Sequence, residues 1–362
     1  MKSHLFSPLV IGQQTFPNRI VVSPMCQYSA NDGCASTWHH VHWGMLAGSG
    51  AGLIMIEATG VERAGRITHG CLGLYSDANE LALREALVVA RQVSPVKFGI
   101  QLAHAGRKGS CEVPWKGGAR LAPGQDPWRT YSASAVEETD TVACTRADMD
   151  RIRDAFVEAT RRAVRAGLDV IEVHAAHGYL IHQFLSSLSN KRTDQYGGSL
   201  ENRMRFPLEV FKAIKAAAPA SIIVGARITG SDWVEGGITP EQAGLFAVEL
   251  EKLGCGYVDV TSGGLVPAKI TSNAGYQVPF AAEVKKAVKG MVVRAVGTIV
   301  TPLQAEDILK SGASDAVTLA RAFIDNPHWP YEAARVLGEE VYYPPQYERA
   351  APKLWQGAKL KG

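Results

Sequence analysis

Eight short runs of apolar, mostly β-branched residues recur along the chain, separated by stretches with helical spacing. They cover residues 19–23, 53–58, 98–102, 170–174, 222–228, 257–261, 292–296 and 316–319. Strands buried on both faces read as continuous apolar runs, so the pattern implies a parallel sheet covered by helices. The clearest helical stretch is 146–166, where Met149, Ile152, Phe156, Ala159 and Ala163 form one stripe opposite charged residues. Thr145, with Asp148 three residues on, predicts its N-cap. Thr239–Pro240 and Thr301–Pro302 open further helices over 240–253 and 302–310 in the same way. The joints also repeat. SGAGLIMI from Ser49, AGLDVIEV from Ala166, LGCGYVDV from Leu253 and SGASDAVTL from Ser311 each set a glycine between a helix end and a strand. Glycine closes a helix in the left-handed conformation without the steric penalty that other residues meet.

Strand, helix, strand repeated about eight times gives either a closed barrel or a large doubly wound sheet. No G-x-G-x-x-G follows the first run and no Walker loop occurs, which favours the barrel. The expectation is α/β: a single (β/α)8 TIM barrel in one domain over 1–362. The barrel proper covers about 18–338 and a C-terminal tail 339–362. Long loops follow strand three (103–144, rich in Gly, Pro and Trp) and strand four (178–200), the usual place for lids and substrate walls.

Composition narrows the function. Net charge is +3 with the two signs interspersed, so neither nucleic acid nor an anionic membrane is an expected partner. No window approaches the roughly 18 apolar residues of a membrane span. MKSHLFSPLVIG is broken too soon by Pro8 and Gly12 to read as a secretion signal. Six scattered cysteines without a C-x-x-C pair argue against zinc ribbons, iron–sulfur clusters and a disulfide framework. A reducing cytoplasm is expected.

Five polar signals fall at strand C-terminal ends, where a barrel of this kind carries its chemistry. SPMCQY (23–28) puts Cys26 near the mouth, as a nucleophile, a redox tuner or a small buried hydrophobe. IQLAHAGRK (100–108) holds Gln101, an amide inside an apolar strand, which must meet a polar partner or a ligand. HAAHGYL (174–180) clusters His174, His177 and Tyr179. With His182 nearby, zinc is the rival reading, but no Asp or Glu follows at a completing spacing, so no metal is expected. The alternative is an imidazole pair that donates to a substrate oxygen, with Tyr179 as proton donor. Arg227 lies deep in the fifth run and needs an anion; Asp232 and Glu172 are the structural candidates. Gly297–Thr298 and Ala320–Arg321 follow strands seven and eight, where barrels hold phosphate. Together the five suit a flat, phosphorylated redox ring with a substrate stacked on it, as FMN would be.

At SPMCQY, IQLAHAGRK and HAAHGYL the chain resembles the old yellow enzyme family of flavin ene-reductases, especially the bacterial branch of xenobiotic reductases and thermostable-type NADPH dehydrogenases. NKRTDQYGGSLENR (190–203) is a further stretch typical of the family. The resemblance runs from about Leu5 to Arg349. It implies bound FMN, NADPH or NADH as hydride donor, and electron-poor alkenes such as enones and maleimides, or nitro compounds, as substrates. Ser23, Pro24, Met25 and Cys26 would line the flavin, and Gly60, Gln101 and Arg227 would contact its ring, with Lys108 close by. Gly297, Ala320 and Arg321 would take the phosphate and ribityl end. His174 and His177 would hold the activating oxygen, with Tyr28 and Tyr179 bounding the substrate and Tyr179 protonating it. Arg349 would reach a neighbouring subunit's site in a homodimer or homotetramer. The chain departs from the family's pattern at Gly60, where alanine is common, and at Ala320, where glycine is. Trp115 and Trp128 are candidate substrate walls in the third loop.

Other readings share the barrel. Dienoyl-CoA-reductase-like and amine-dehydrogenase-like relatives carry an iron–sulfur cluster and an added nucleotide domain; the cysteines such a cluster needs are not grouped here, and the chain ends soon after the barrel. A Schiff-base aldolase needs a lysine at a strand end, whereas Lys108 and Lys269 fall in loops.

Overall fold

A computed structural model describes residues 3–360. Eight parallel strands close into a barrel: β1 (Ile20–Val22), β2 (Leu53–Gly60), β3 (Lys97–Ala103), β4 (Val170–Ala175), β5 (Ile223–Thr229), β6 (Tyr257–Thr261), β7 (Val292–Ala295) and β8 (Ala316–Leu319). Each strand pairs with its neighbours in sequence, and β8 closes onto β1 through Val317–Ile20 and Leu319–Val22. Every apolar run is therefore a strand, with ends shifted by at most two residues.

The helices between them are α1 (Thr37–Ala47), α2 (Asp77–Val93), α3 (Arg146–Arg165), α4 (Leu200–Ala217), α5 (Pro240–Lys252), α6 (Val278–Ala287), α7 (Pro302–Lys310) and α8 (Trp329–Leu337). The capping box that opens α3 forms: Asp148 N–H donates to Thr145 Oγ1 at 3.1 Å, and Thr145 N–H to Asp148 Oδ2 at 2.9 Å. Thr239 and Thr301 cap α5 and α7 likewise. The joint glycines Gly50, Gly167, Gly254 and Gly312 have φ of +86°, +82°, +80° and +74°, the left-handed geometry that the repeated joint demands. The predicted stripe of α3 is buried along its length. No helix among the described residues is long and apolar enough to cross a membrane.

Three features lie outside the periodic signal. An antiparallel hairpin, Leu9–Ile11 with Gln14–Phe16, precedes β1. The loop after β3 holds a small two-stranded sheet, Thr130–Ser132 beside Thr141–Ala143. The loop after β4 holds a short helix, Leu180–Leu185. Elements of three to six residues complete too few periods to stand out from loop sequence.

Alternate residues of each strand point into the barrel, and they build three tiers. The floor is apolar: Val21, Leu53, Met55, Val170, Ile223, Tyr257 and Ala316, closed from below by Leu9, Ile11 and Phe16 of the hairpin. Two residues further along the strands the interior becomes charged. Arg294 on β7 pairs with Glu172 on β4 and approaches Asp259 Oδ2 on β6 at 3.8 Å, with its guanidinium 3.5 Å from the Tyr257 ring centre. Gln101 on β3 donates to Glu172 Oε1 at 2.8 Å, and Tyr257 Oη to Glu172 Oε2 at 3.0 Å. Arg227 on β5 rises above this tier and pairs with Asp259 Oδ1 at 3.4 Å. Two guanidiniums thus face two carboxylates. Burial works against the Arg294 charge, but Tyr257, Glu172 and Asp259 hold its pKa above the usual value. The third tier is the mouth.

Removing one member of a buried ion pair leaves the others uncompensated. Arg294→Met is expected to lower the unfolding free energy by about 3–5 kcal/mol, read from urea denaturation; a loss under about 1 kcal/mol would contradict the assigned role of the tier.

Candidate active site

The top of the barrel gathers residues from every part of the sequence. His174, next to last in β4, lies directly beside Arg227 of β5. Its Nε2 lies 3.4 Å from His177 Nδ1, and its ring packs edge-on against Tyr179 with centroids 4.8 Å apart. His177 Nε2 lies 2.9 Å from Thr261 Oγ1 at the end of β6. Lys108, from the loop after β3, donates to the His177 and Gly264 carbonyls at 2.9 Å each, and its ammonium sits 5.1 Å from the Tyr179 ring centre. Arg227 also donates to Ser23 Oγ at 3.0 Å, which ties β5 to the loop after β1.

A cavity of about 490 Å³ continues from Arg227 and Thr261 across the ends of β7 and β8, lined by Gly297, Thr318, Ala320 and Arg321. The imidazole pair and the expected phosphate end are thus joined through Thr261. Ser23, Pro24, Met25, Cys26 and Tyr28 form the rim after β1, partly buried beyond Ser23. Backbone strain concentrates at this end of the barrel: Tyr28, His177, Trp233 and Thr298, each in a loop following a strand, have φ of +50°, +57°, +64° and +49°.

Burial, reinforced by Arg227, depresses both the His174 and His177 pKa values, so both imidazoles are neutral near pH 7. Burial raises Cys26 and Tyr179; the first remains a thiol and the second a protonated phenol. Burial and the neighbouring Arg107 lower Lys108.

The structure corrects some expectations. The anion that meets Arg227 is Asp259, not Asp232 or Glu172; a parallel neighbour in register supplies it. Asp232 instead pairs with His182 at 3.0 Å, both fully buried, which occupies one ring nitrogen of His182. Among the described residues no group of three or more His, Cys, Asp or Glu could hold a metal ion. Trp128 is a structural residue that donates to the Ala64 carbonyl at 3.0 Å and stacks under Arg66, while Trp115 stays exposed with its edge toward Tyr28. Gly60 in place of alanine has a local cause: a methyl there would meet Cγ of the buried Arg66 at 3.1 Å. Arg349 lies on an exposed turn, Pro345–Ala350, and no hydrogen bond or ion pair joins it to the described mouth residues. The tail before it packs under the barrel, with Val341 against Gly50 in the α1–β2 joint.

Asp259, Thr261, Gln277 and Thr318 were not singled out by sequence reasoning. For Asp259, Thr261 and Thr318 the signal was a polar residue in an otherwise apolar run; Gln277, in the loop before α6, carried none.

The residues present fit a phosphorylated flat ring. Thr318 Oγ1 is buried in the cavity wall without a hydrogen-bond partner, and His174 Nδ1 is a second buried orphan. Buried polar atoms of this kind are normally satisfied, so both call for a ligand atom. Ser23, Gln101 and Arg227 would hold the ring, and Gly297, Ala320 and Arg321 the phosphate. A second groove of about 440 Å³, between α8 and the tail, contains none of these residues.

Comparison with known proteins agrees. The sequence pattern of the NADH:flavin oxidoreductase / NADH oxidase family matches residues 4–340. The NADPH dehydrogenase of Geobacillus thermodenitrificans (strain NG80-2) is 43% identical over 351 residues, covering 96% of this chain and 99% of its own. Morphinone reductase superposes with a TM-score of 0.77 at 28% identity, over 96% of this chain and 93% of its own. A 2-naphthoyl-CoA reductase superposes with a TM-score of 0.81 at 25% identity, but only 52% of that longer chain is covered.

One ion pair at the mouth sets an acid limit. Glu62, after β2, meets His104 Nε2 at 2.9 Å and also pairs with Arg151. Burial pushes its carboxyl up, but these two partners prevail and bring the pKa from 4.5 to about 2. A depressed carboxylate pKa stabilises the fold above the unfolded value and loses that contribution as pH falls toward the folded one. Stability of about 3 kcal/mol is therefore expected to vanish between pH 4.5 and about 2. Glu62→Gln should flatten acid unfolding in that window; an unchanged acid profile would contradict the pairing.

Proposed function

We propose, on the premise that the chain belongs to the NADH:flavin oxidoreductase / NADH oxidase family, that it is an ene-reductase for electron-poor C=C bonds. It is an FMN-dependent oxidoreductase that draws on NADPH or NADH, as its family membership and its NADPH dehydrogenase relatives establish. The substrate class is the proposal: enones and maleimides, with nitro compounds as a further group. One observation carries it. Two neutral imidazoles and a protonated phenol meet within about 5 Å at the rim of a cavity suited to a phosphorylated ring.

FMN, when bound, would supply the hydride-transfer chemistry between the nicotinamide and the alkene. His174 and His177 donate hydrogen bonds to the substrate's carbonyl or nitro oxygen, which draws electron density from the β-carbon. The mutual contact of the pair and the His177–Thr261 bond yield to that oxygen. Tyr179 gives its phenolic proton to the α-carbon, and the Lys108 ammonium over its ring offsets the charge left behind. Cys26, kept as a thiol, and Met25 border the ring, while Tyr28 bounds the substrate. Arg349, unattached to its own mouth, serves a neighbouring subunit in a homodimer or homotetramer.

The aldolase alternative has lost its support, because Lys108 is held by two backbone carbonyls. The longer reductases match over only about half their length, whereas the NADPH dehydrogenase matches end to end.

Purified protein should show an oxidised-flavin absorption band that NADPH bleaches and cyclohexenone restores; a band that cyclohexenone fails to restore would refute the ene-reductase reading. Replacing His174 or His177 by Ala should lower enone turnover by about 10²- to 10³-fold with FMN still bound. Tyr179→Phe should slow proton delivery by about 10²- to 10⁴-fold. Because both imidazole pKa values are depressed below 6.5, turnover should show no break near pH 6.5; a fall as pH rises through 6.5 would mean that a protonated imidazole is required.

A further inference from the structure

Three fully buried histidines near the mouth share an arrangement that the chemistry above does not use. His39 accepts the Ser36 N–H on Nδ1 at 2.9 Å and turns Nε2 to Glu57 Oε1 at 3.2 Å. His104 accepts the Gly106 N–H on Nδ1 at 3.0 Å and meets Glu62 through Nε2. His182 accepts the Gly178 N–H on Nδ1 at 2.9 Å and meets Asp232 Oδ1 at 3.0 Å. In each case a carboxylate lies on one ring nitrogen and a loop amide on the other.

We propose that His182, held by Asp232, is a positioning residue that aims His177 and Tyr179 at the substrate by fixing the turn between them. The proposal rests on the roles given above to those two side chains. His177 and Gly178 take successive left-handed conformations, with φ of +57° and +72°. The first is a strained geometry for a histidine and persists only where its surroundings impose it. A side chain at position 178 would come within 2.4 Å of the Gly264 carbonyl, so the turn is also pressed from outside. Gln183 Nε2 donates to the Gly178 carbonyl at 2.6 Å and Lys108 to that of His177. The Gly178 N–H is left to His182.

An amide N–H is accepted only by a nitrogen with a free lone pair. His182 Nδ1 is therefore unprotonated, and the ring proton sits on Nε2 beside Asp232. Thr229 Oγ1 approaches the same Nδ1 at 3.3 Å. The Nε2 and Oδ1 atoms are close without forming a hydrogen bond, so Asp232 acts on the ring through charge and contact. Asp232 is itself anchored by Ser186 Oγ at 2.7 Å and the Ile238 N–H at 2.9 Å. Without the imidazole, a buried N–H loses its partner beside a strained residue, and the turn relaxes. Displacement of a reacting group by about 1 Å costs on the order of 100-fold in rate.

The test uses FMN-loaded protein. His182→Leu removes the acceptor, whereas His182→Asn offers a side-chain oxygen in place of Nδ1. His182→Leu should retain FMN but lose about 10- to 100-fold in kcat/KM for cyclohexenone, and His182→Asn should recover most of the loss. A leucine variant with bound FMN and wild-type kcat/KM overturns the proposal. If the leucine variant does not fold, nitrogen NMR of the wild-type protein decides. Coupling across the hydrogen bond from the Gly178 amide to His182 Nδ1 is expected, and a protonated Nδ1 overturns the proposal. That readout is independent of turnover, so failure of the functional reading (coupling present, no enone turnover) is distinguishable from failure of the held turn (a protonated Nδ1).

Discussion

The charged tier inside the barrel is the constraint on which the rest depends. Arg294, Glu172 and Asp259 lie where most barrels of this architecture stack branched aliphatics. Buried ions are costly unless paired, and here two guanidiniums balance two carboxylates, with Gln101 and Tyr257 adding hydrogen bonds to Glu172. The tier separates a dry floor from a polar mouth. It also fixes Arg227, whose link to Asp259 on one side and Ser23 on the other presents a guanidinium to whatever enters the cavity. The site's positive charge is therefore positioned by the core and not by a mobile loop.

Above that tier the loops are strained, and they are held by buried side chains. Carboxylate–imidazole pairs grip backbone amides near the ends of β1, β3 and β4, close to the residues that would touch substrate. Depressed imidazole pKa values follow from the same burial, so the groups that orient and the groups that react share one dry environment. Preorganisation of this kind lets hydrogen-bond donors act on a developing oxyanion without reorganising first.

The sequence made the barrel legible because strand and helix each repeat over enough residues for their periods to stand out. The four joint glycines and the Thr145 capping box were readable as local chemistry. The convergence of Ser23, His174, Arg227, Gly297 and Arg321 at one end followed once the strands were known, since all lie past or at strand C-termini. Pairing was less accessible. Asp259 and Arg294 are single polar residues in apolar runs, and only the parallel register shows which charge meets which. His182 looked like a third member of a histidine cluster until the short Leu180–Leu185 helix turned it toward Asp232. The floor hairpin was invisible because three-residue strands carry almost no pattern.

The most direct test of convergence is a crystal structure of the protein loaded with FMN. Ring density should lie at the barrel mouth with Arg227 and Gln101 within about 3.2 Å of its polar atoms, the phosphate on Gly297, Ala320 and Arg321, and the His174–His177 pair over its face. A flavin seated instead in the groove between α8 and the tail, or a mouth left to solvent, would contradict it.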